Sequence, residues 1–357
     1  MSSSMWPTTP LTKRIGMQLP IIQAPMAGGA TTPELIAAVS NAACLGSLGA
    51  GYLSPEEIRS AIAKIRHLTD QPFAVNLFVP QEHHASLDKI ISMGKLIEDA
   101  CLELNIPVIS TISNYMPAFD DQMKIIIEER VPVFSFTFGI PDKVWIKKLK
   151  DIGTILIGTA TSLAEAIQLE KHGIDFIVAQ GSEAGGHRGT FIRKEEDSLL
   201  TTSNLLQQLV NNITIPVLAS GGIMDAQGIV AAMHSGASGV QMGTAFLSCY
   251  ESGINKKYKQ ALLNTTEDNT VLTRVFSGKL ARGINNKFIS RMEPHASEIL
   301  DYPVQNALTR QMRNEADKQS CIDFMSMWAG QNYYLCREQS AADLIQKLND
   351  SVDKLLA

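Results

Sequence analysis

One unit recurs through the first 247 residues: a short β-rich apolar run followed by an amphipathic helical stretch. The strand candidates are Ile21–Ala24, Leu45–Leu48, Phe73–Phe78, Val133–Thr137, Ile155–Gly158, Asp175–Gln180, Pro216–Ser220 and Gly239–Met242. Helical periodicity lies between them at Thr32–Ala43, Pro55–His67, Asp142–Ile152, Leu163–His172 and Ala226–Ser235, with Pro33 and Pro55 near helix starts, where a missing N–H costs little. Eight such units in succession predict a (β/α)8 TIM barrel, an α/β fold for which about 250 residues is typical. An open doubly wound sheet is the alternative, but QAPMAGG follows the first strand where a G-x-G-x-x-G turn would be needed.

The crossover from Pro80 to Val131 is long and predicts two helices around an irregular Ile109–Ile112 segment. From about Ser248 to Met325 the alternation stops. This predicts a small α+β substrate-side domain at 248–325, inserted after the eighth strand of a barrel formed by 1–247 and 326–357. The last helix, around Ala341–Leu356, is expected to return and close the barrel.

With 45% hydrophobic and 19% charged residues the chain can bury a large core, and a formal net charge of −5 offers no basic field for nucleic acid. Its five cysteines are scattered without metal spacing and read as reduced thiols. There is no apolar run of signal-peptide or membrane-spanning length. The expectation is a cytoplasmic protein without a metal site, a monomer or homodimer acting on small molecules.

The candidate chemistry collects at the predicted strand ends, where a barrel of this kind builds its active site. ASGGI follows the seventh strand and QMGT ends the eighth, which puts Gly222 and Gly243 21 residues apart. Glycine turns with exposed N–H groups, beside a helix N-terminus, suit a phosphate. Gly221, Gly222, Gln241, Met242, Gly243 and Thr244 are therefore candidate phosphate and cofactor contacts. Gln23, Asn76 and Gln180 put amides at strand ends, matching the donors and acceptors of a flavin ring, with Ala24, Pro25 and Met26 as an apolar ledge. The loop GSEAGGHRG after the sixth strand holds Glu183, Gly185, Gly186, His187 and Arg188. His187, flanked by Gly186 and Arg188, is the candidate general base. Glu183 could orient the loop, pair with Arg188 or be solvated.

Together QAPMAGG, GSLGAGY, AVNLFVP, FSFTFGIP, AQGSEAGGHRG, LASGGI, QMGTAFL and MWAGQ resemble the bacterial class of the nitronate monooxygenases, formerly 2-nitropropane dioxygenases, from about Ile21 to Gln331. The resemblance implies non-covalent FMN and oxidative denitrification of alkyl nitronates, such as propionate 3-nitronate, with O2. It further implies a flavin semiquinone and release of nitrite. It places FMN contacts on Met26, Asn76, Gln180, Gly185, Gly222 and Gln241–Thr244, and the base that removes the α-proton of neutral nitroalkanes on His187.

Two stretches depart from the family pattern and bear on the substrate. Thr137 stands where some members have histidine. YPVQNALTR keeps Tyr302 but has Asn306 and Arg310 where tyrosine and lysine are usual, and Arg310 offers a cation for an anionic substrate tail. Flavin-dependent enoyl-ACP reductases and NAD(P)H:quinone reductases resemble the same barrel and form the rival reading; a flavin-binding sensor is the non-enzyme alternative. An IMP dehydrogenase-like barrel would need a loop cysteine, and no cysteine lies between Cys101 and Cys249.

Overall fold

The computed structural model describes residues 6–107, 115–265 and 267–357. Eight parallel strands form the central sheet: β1 (Ile21–Gln23), β2 (Gly46–Gly49), β3 (Phe73–Phe78), β4 (Val133–Thr137), β5 (Ile155–Ala160), β6 (Phe176–Gln180), β7 (Val217–Ser220) and β8 (Gly239–Met242). Their spatial order is β1-β8-β7-β6-β5-β4-β3-β2. A parallel bridge between Ile22 and Leu45, with Leu45 N–H donating to Ile21 O at 3.0 Å, brings β1 back against β2 and closes the (β/α)8 barrel.

Side-chain alternation explains both faces. Ile22, Leu45, Ala74, Val133, Ile155, Ile157, Phe176, Val178 and Leu218 fill the barrel interior, joined by Leu11 from the first helix, Pro10–Ile15, and Met17 just after it. Their neighbours Ile21, Val75, Phe134, Leu156, Ile177 and Val217 point outward into the layer beneath the helices. Continuing the inward parity towards the strand ends gives Ala24, Asn76, Thr137, Gln180 and Gln241. The apolar plug thus gives way to polar groups at one mouth.

The helices start where their caps dictate. Thr32 caps Pro33–Asn41, and Ser54 with Glu57 forms a capping box on Pro55–Leu68. Ala341–Leu356, capped by Ser340, packs against Pro33–Asn41 and Ala226–His234 and completes the helical ring, as expected. It buries Leu344, Ile345, Leu348 and Val352, each worth roughly 1.5–3 kcal/mol of apolar burial.

The long crossover after β3 differs from expectation. It holds three helices among the described residues, Leu87–Leu96, Glu98–Glu103 and Phe119–Glu128, because the first run breaks at Ile97, one turn after Gly94. The Ile109–Ile112 segment lies outside the described residues. After β8, the chain runs through Lys256–Leu263, an antiparallel pair Thr270–Thr273 and Ala281–Ile284, and the helices Lys287–Met292 and Val304–Lys318. Ala281–Ile284 also pairs with Gly186–His187 from the loop after β6. Residues nearly a hundred positions apart are thereby joined in one three-stranded sheet over the barrel mouth. Among the described residues, no helix is long and apolar enough to cross a membrane.

Candidate active site

Backbone close approaches draw the glycine-rich strand ends together. Ala24 N–H donates to Met242 O at 2.8 Å. A Cβ placed on Gly243 would meet Ala24 Cβ at 3.4 Å and Met26 Sδ at 3.7 Å. Gly330 N–H donates to Thr244 Oγ1 at 3.0 Å, and Asn332 Nδ2 donates to Gly222 O at 2.7 Å. Gly185 is seated so closely on the same segment that a Cβ there would lie 2.5 Å from Ala329 C and Gly330 N. Residues Ala329–Asn332 thus lace the loops after β6, β7 and β8 into one rim, a role that MWAGQ did not reveal as sequence.

Within that rim the N–H groups of Gly221, Gly222 and Gly243 donate to no protein acceptor among the described residues. Gly221 and Gly222 take φ of +123° and +69°, the region that favours glycine. Unpaired donors at the ends of two adjacent strands fit a phosphate group. The helix Ala226–His234 contributes less than expected, because the Asp225 carboxylate already accepts from Gly228 N–H at its N-terminus.

The expected amides separate. Gln23 shares the outward parity of Ile21 and is spent on Ser47, accepting from its N–H at 3.0 Å, so it leaves the set that could meet a flavin ring. Asn76 donates to Ser135 Oγ at 2.9 Å and is nearly buried. Gln180 clamps the following loop, donating to His187 O at 3.0 Å and accepting from Gly189 N–H at 2.7 Å, which leaves one N–H and one lone pair for a ligand. Thr137 sits against the same loop, its Cγ2 3.3 Å from where a Gly189 Cβ would stand.

The loop is held from beneath. Arg188 is 1% exposed and donates to the carbonyls of Gly181, Gln180 (2.9 Å) and Ser198 (3.0 Å). Burial lowers its pKa to about 10, still far above neutrality. Glu183 pairs with Thr202 rather than Arg188, accepting from Thr202 N–H at 2.9 Å and from its hydroxyl at 3.0 Å. It orients the loop against β7 and its following turn.

His187 stands half-buried in an aromatic box: ring centroids of Trp328, Phe138 and Tyr302 lie 5.3, 5.9 and 6.1 Å away. Its Nε2 is 2.8 Å from Ser277 Oγ. Burial, then the Lys279 and Arg313 charges, lower its pKa to about 3, so the imidazole is neutral near pH 7 and its lone pair is available. An imidazolium formed here is costly unless negative charge develops beside it.

The surroundings are electropositive. Lys279 is 4% exposed, 2.9 Å from Glu195, and lies over the Phe138 ring at 4.6 Å. Burial lowers its pKa despite Glu195. Arg310 donates to Tyr115 O at 2.7 Å; Arg313, lowered by burial to about 10, donates to Asn306 O and Oδ1 at 2.9 and 2.8 Å. Neither arginine has a carboxylate within 4 Å among the described residues. Tyr52 and Tyr302 complete the wall; burial pushes both phenols up, Tyr52 lies close enough to raise Tyr302 further, and among the described residues the Tyr52 hydroxyl makes no hydrogen bond of normal geometry. A cavity of about 520 Å3 shares Phe138, Tyr302 and Lys279 with this wall.

Tyr302 is thus a ring neighbour of His187, Thr137 lies against Gly189 two residues further on, and Arg310 is near enough to perturb Tyr302. Sequence reasoning missed Ser277, Lys279, Arg313 and Trp328. Arg313 alone left a readable trace: it follows Arg310 at helical spacing, with no acidic residue from Tyr302 to Arg313.

The nitronate monooxygenase family model matches residues 9–351. A probable nitronate monooxygenase of Staphylococcus haemolyticus is 44% identical over 356 residues, covering 99% of both chains. One from Staphylococcus saprophyticus is 45% identical over 98% of this chain and 99% of its own. Among solved structures, the nitroalkane oxidase of Streptomyces ansochromogenes superposes with a TM-score of 0.88 at 36% identity, covering 96% of this chain and 98% of that one. FabK from Thermotoga maritima gives 0.77 at 29% identity, covering 98% and 97%.

Proposed function

Because the chain belongs to the nitronate monooxygenase family, we propose that it binds FMN and uses O2 to oxidise alkyl nitronates with release of nitrite. The observation that carries this reading is the neutral His187 in an aromatic box, beside arginines without carboxylate partners and a rim of glycine N–H groups without protein acceptors among the described residues. That combination suits an anionic nitro compound next to a flavin phosphate.

Gly221, Gly222 and Gly243 would meet the phosphate, and Asn76, Gln180 and the Ala24–Met26 ledge the ring; Gly185, Gly186 and Gln241–Thr244 would complete the contacts. The chemistry a bound FMN supplies is acceptance of an electron from the nitronate ahead of its reaction with O2. The rest falls to the protein. Phe138, Tyr302 and Trp328 exclude water from one side of the substrate. Arg310 and Arg313 favour its negative charge. On a neutral nitroalkane, His187 takes the α-proton, and the negative charge left on the nitro group offsets the imidazolium. Residues 248–325 act as the substrate-side unit on the barrel of 1–247 and 326–357, in a cytoplasmic protein.

The test is oxygen uptake and nitrite release with propionate 3-nitronate and no pyridine nucleotide. Turnover supports the proposal. NADH oxidation with an enoyl thioester or quinone, and none with nitronate, would assign the chain to the reductases instead.

A further inference from the structure

The bonding of Ser277 decides which nitrogen of His187 carries the proton. The Ser277 hydroxyl stands 3.1 Å from Lys279 O and 3.3 Å from Lys279 N, as well as 2.8 Å from His187 Nε2. A carbonyl can only accept, so the single hydroxyl proton goes to Lys279 O. A backbone N–H can only donate, so it occupies one lone pair of Oγ. One lone pair remains, and it faces Nε2; the set is satisfied when Nε2 carries hydrogen. Turning the hydroxyl to Nε2 instead would strip Lys279 O of its hydrogen-bond donor, in a stretch where Ser277 is 1% and Lys279 4% exposed.

The turn that presents Ser277 is itself pinned. Gly278 has φ of +83°, and a Cβ there would collide with Leu300 O beside Tyr302. Ser277 N–H and Gly278 N–H both donate to Arg274 O, at 3.2 and 2.7 Å. On the other side, Gln180 holds the carbonyl of His187 and Ala281 pairs with it across the small sheet. Histidine and serine are thus fixed by separate backbone frames.

The geometry points to Ser277 as a positioning residue that holds His187 in its Nε2–H tautomer, leaving Nδ1 to accept the α-proton of a neutral nitroalkane. The step rests on the proposed role of His187 as base. In it the substrate's α C–H bond breaks, and its electron pair delocalises into the nitro group as nitronate. The proton forms Nδ1–H, while Nε2–H stays on Ser277. Nδ1 has no hydrogen-bond partner among the described residues, so nothing in the protein competes for that lone pair.

Ring 15N–1H correlation spectra of the flavin-loaded, 15N-histidine-labelled enzyme read the tautomer directly. His187 is assigned among seven histidines by the signal lost in His187→Gln. The expected result is a protonated Nε2 and an unprotonated Nδ1 at neutral pH. Ser277→Ala is expected to mix the tautomers and to cut neutral-nitroalkane turnover about 10- to 100-fold relative to nitronate turnover, a share of the roughly 10²–10⁴ a positioned base supplies. Ser277→Thr is expected to restore both. A wild-type Nδ1–H tautomer overturns the proposal whether or not the variants fold, and so does a Ser277→Ala protein with unchanged tautomer and unchanged substrate ratio. Failure of the base role itself shows separately, as a His187→Gln enzyme that keeps its neutral-substrate activity.

Discussion

Lowering the pH is expected to destabilise the protein through His187 in particular. The unfolded histidine titrates at its ordinary value of 6.5, and burial with the Lys279 and Arg313 charges brings the folded value to about 3. Between those values the unfolded chain holds a proton on this residue that the folded chain does not. The contribution is therefore fully present above pH 6.5 and is lost as pH falls towards 3, at about 1.4 kcal/mol per pH unit. At about pH 4.5, two units into that window, His187 alone costs about 2.7 kcal/mol. His187→Gln carries no proton at any of these pH values and escapes the loss. Urea unfolding of both flavin-loaded proteins, at about pH 7 and about pH 4.5, isolates the His187 contribution as the difference between their two losses. Equal losses in wild type and variant would mean that His187 is hydrated or compensated in the folded protein and that its burial does not drive the acid loss.

Gly243→Val is expected to fold but to purify colourless, because φ is −105° and the new Cβ meets protein only at ordinary contact distance, while the branch intrudes on the N–H groups assigned to the phosphate. Gly222→Val is the poorer probe, since its φ of +69° strains any side chain there; release of FMN from denatured wild type sets the reference for either. His187→Ala is expected to cost roughly 10²–10⁴-fold on neutral nitroalkanes and far less on nitronates, read by paired kinetics at matched flavin content. Arg313→Met is expected to raise KM about tenfold for nitronates with a carboxylate tail, the loss of one charge-assisted hydrogen bond, and to leave uncharged alkyl nitronates nearly unchanged.

The barrel was legible because its strands are buried on both faces and its helices carry their own caps. The predicted strand at Phe73–Phe78 and the helix at Ala341–Leu356 match the observed bounds, and most others agree within one or two residues. The helix break at Ile97 was not legible, since Gly94 one turn before it lies inside a continuous helical pattern. Gln23 looked like a mouth-facing amide; the parity set by Ile21 and Ile22 turned it outward. The glycines and His187 stood out because tight turns and proton transfer restrict residue choice. Ser277 and Lys279 did not, because their role comes from pairing Ala281–Ile284 with Gly186–His187, a long-range contact with no local signature.

Under the proposed function a nitronate, and not a pyridine nucleotide, delivers electrons to this site. Mixing the yellow protein anaerobically with propionate 3-nitronate in one sample and NADH in another tests it most directly. The nitronate alone is expected to change the flavin spectrum, and admitting O2 is expected to restore it. A spectrum changed by NADH and untouched by nitronate would contradict it.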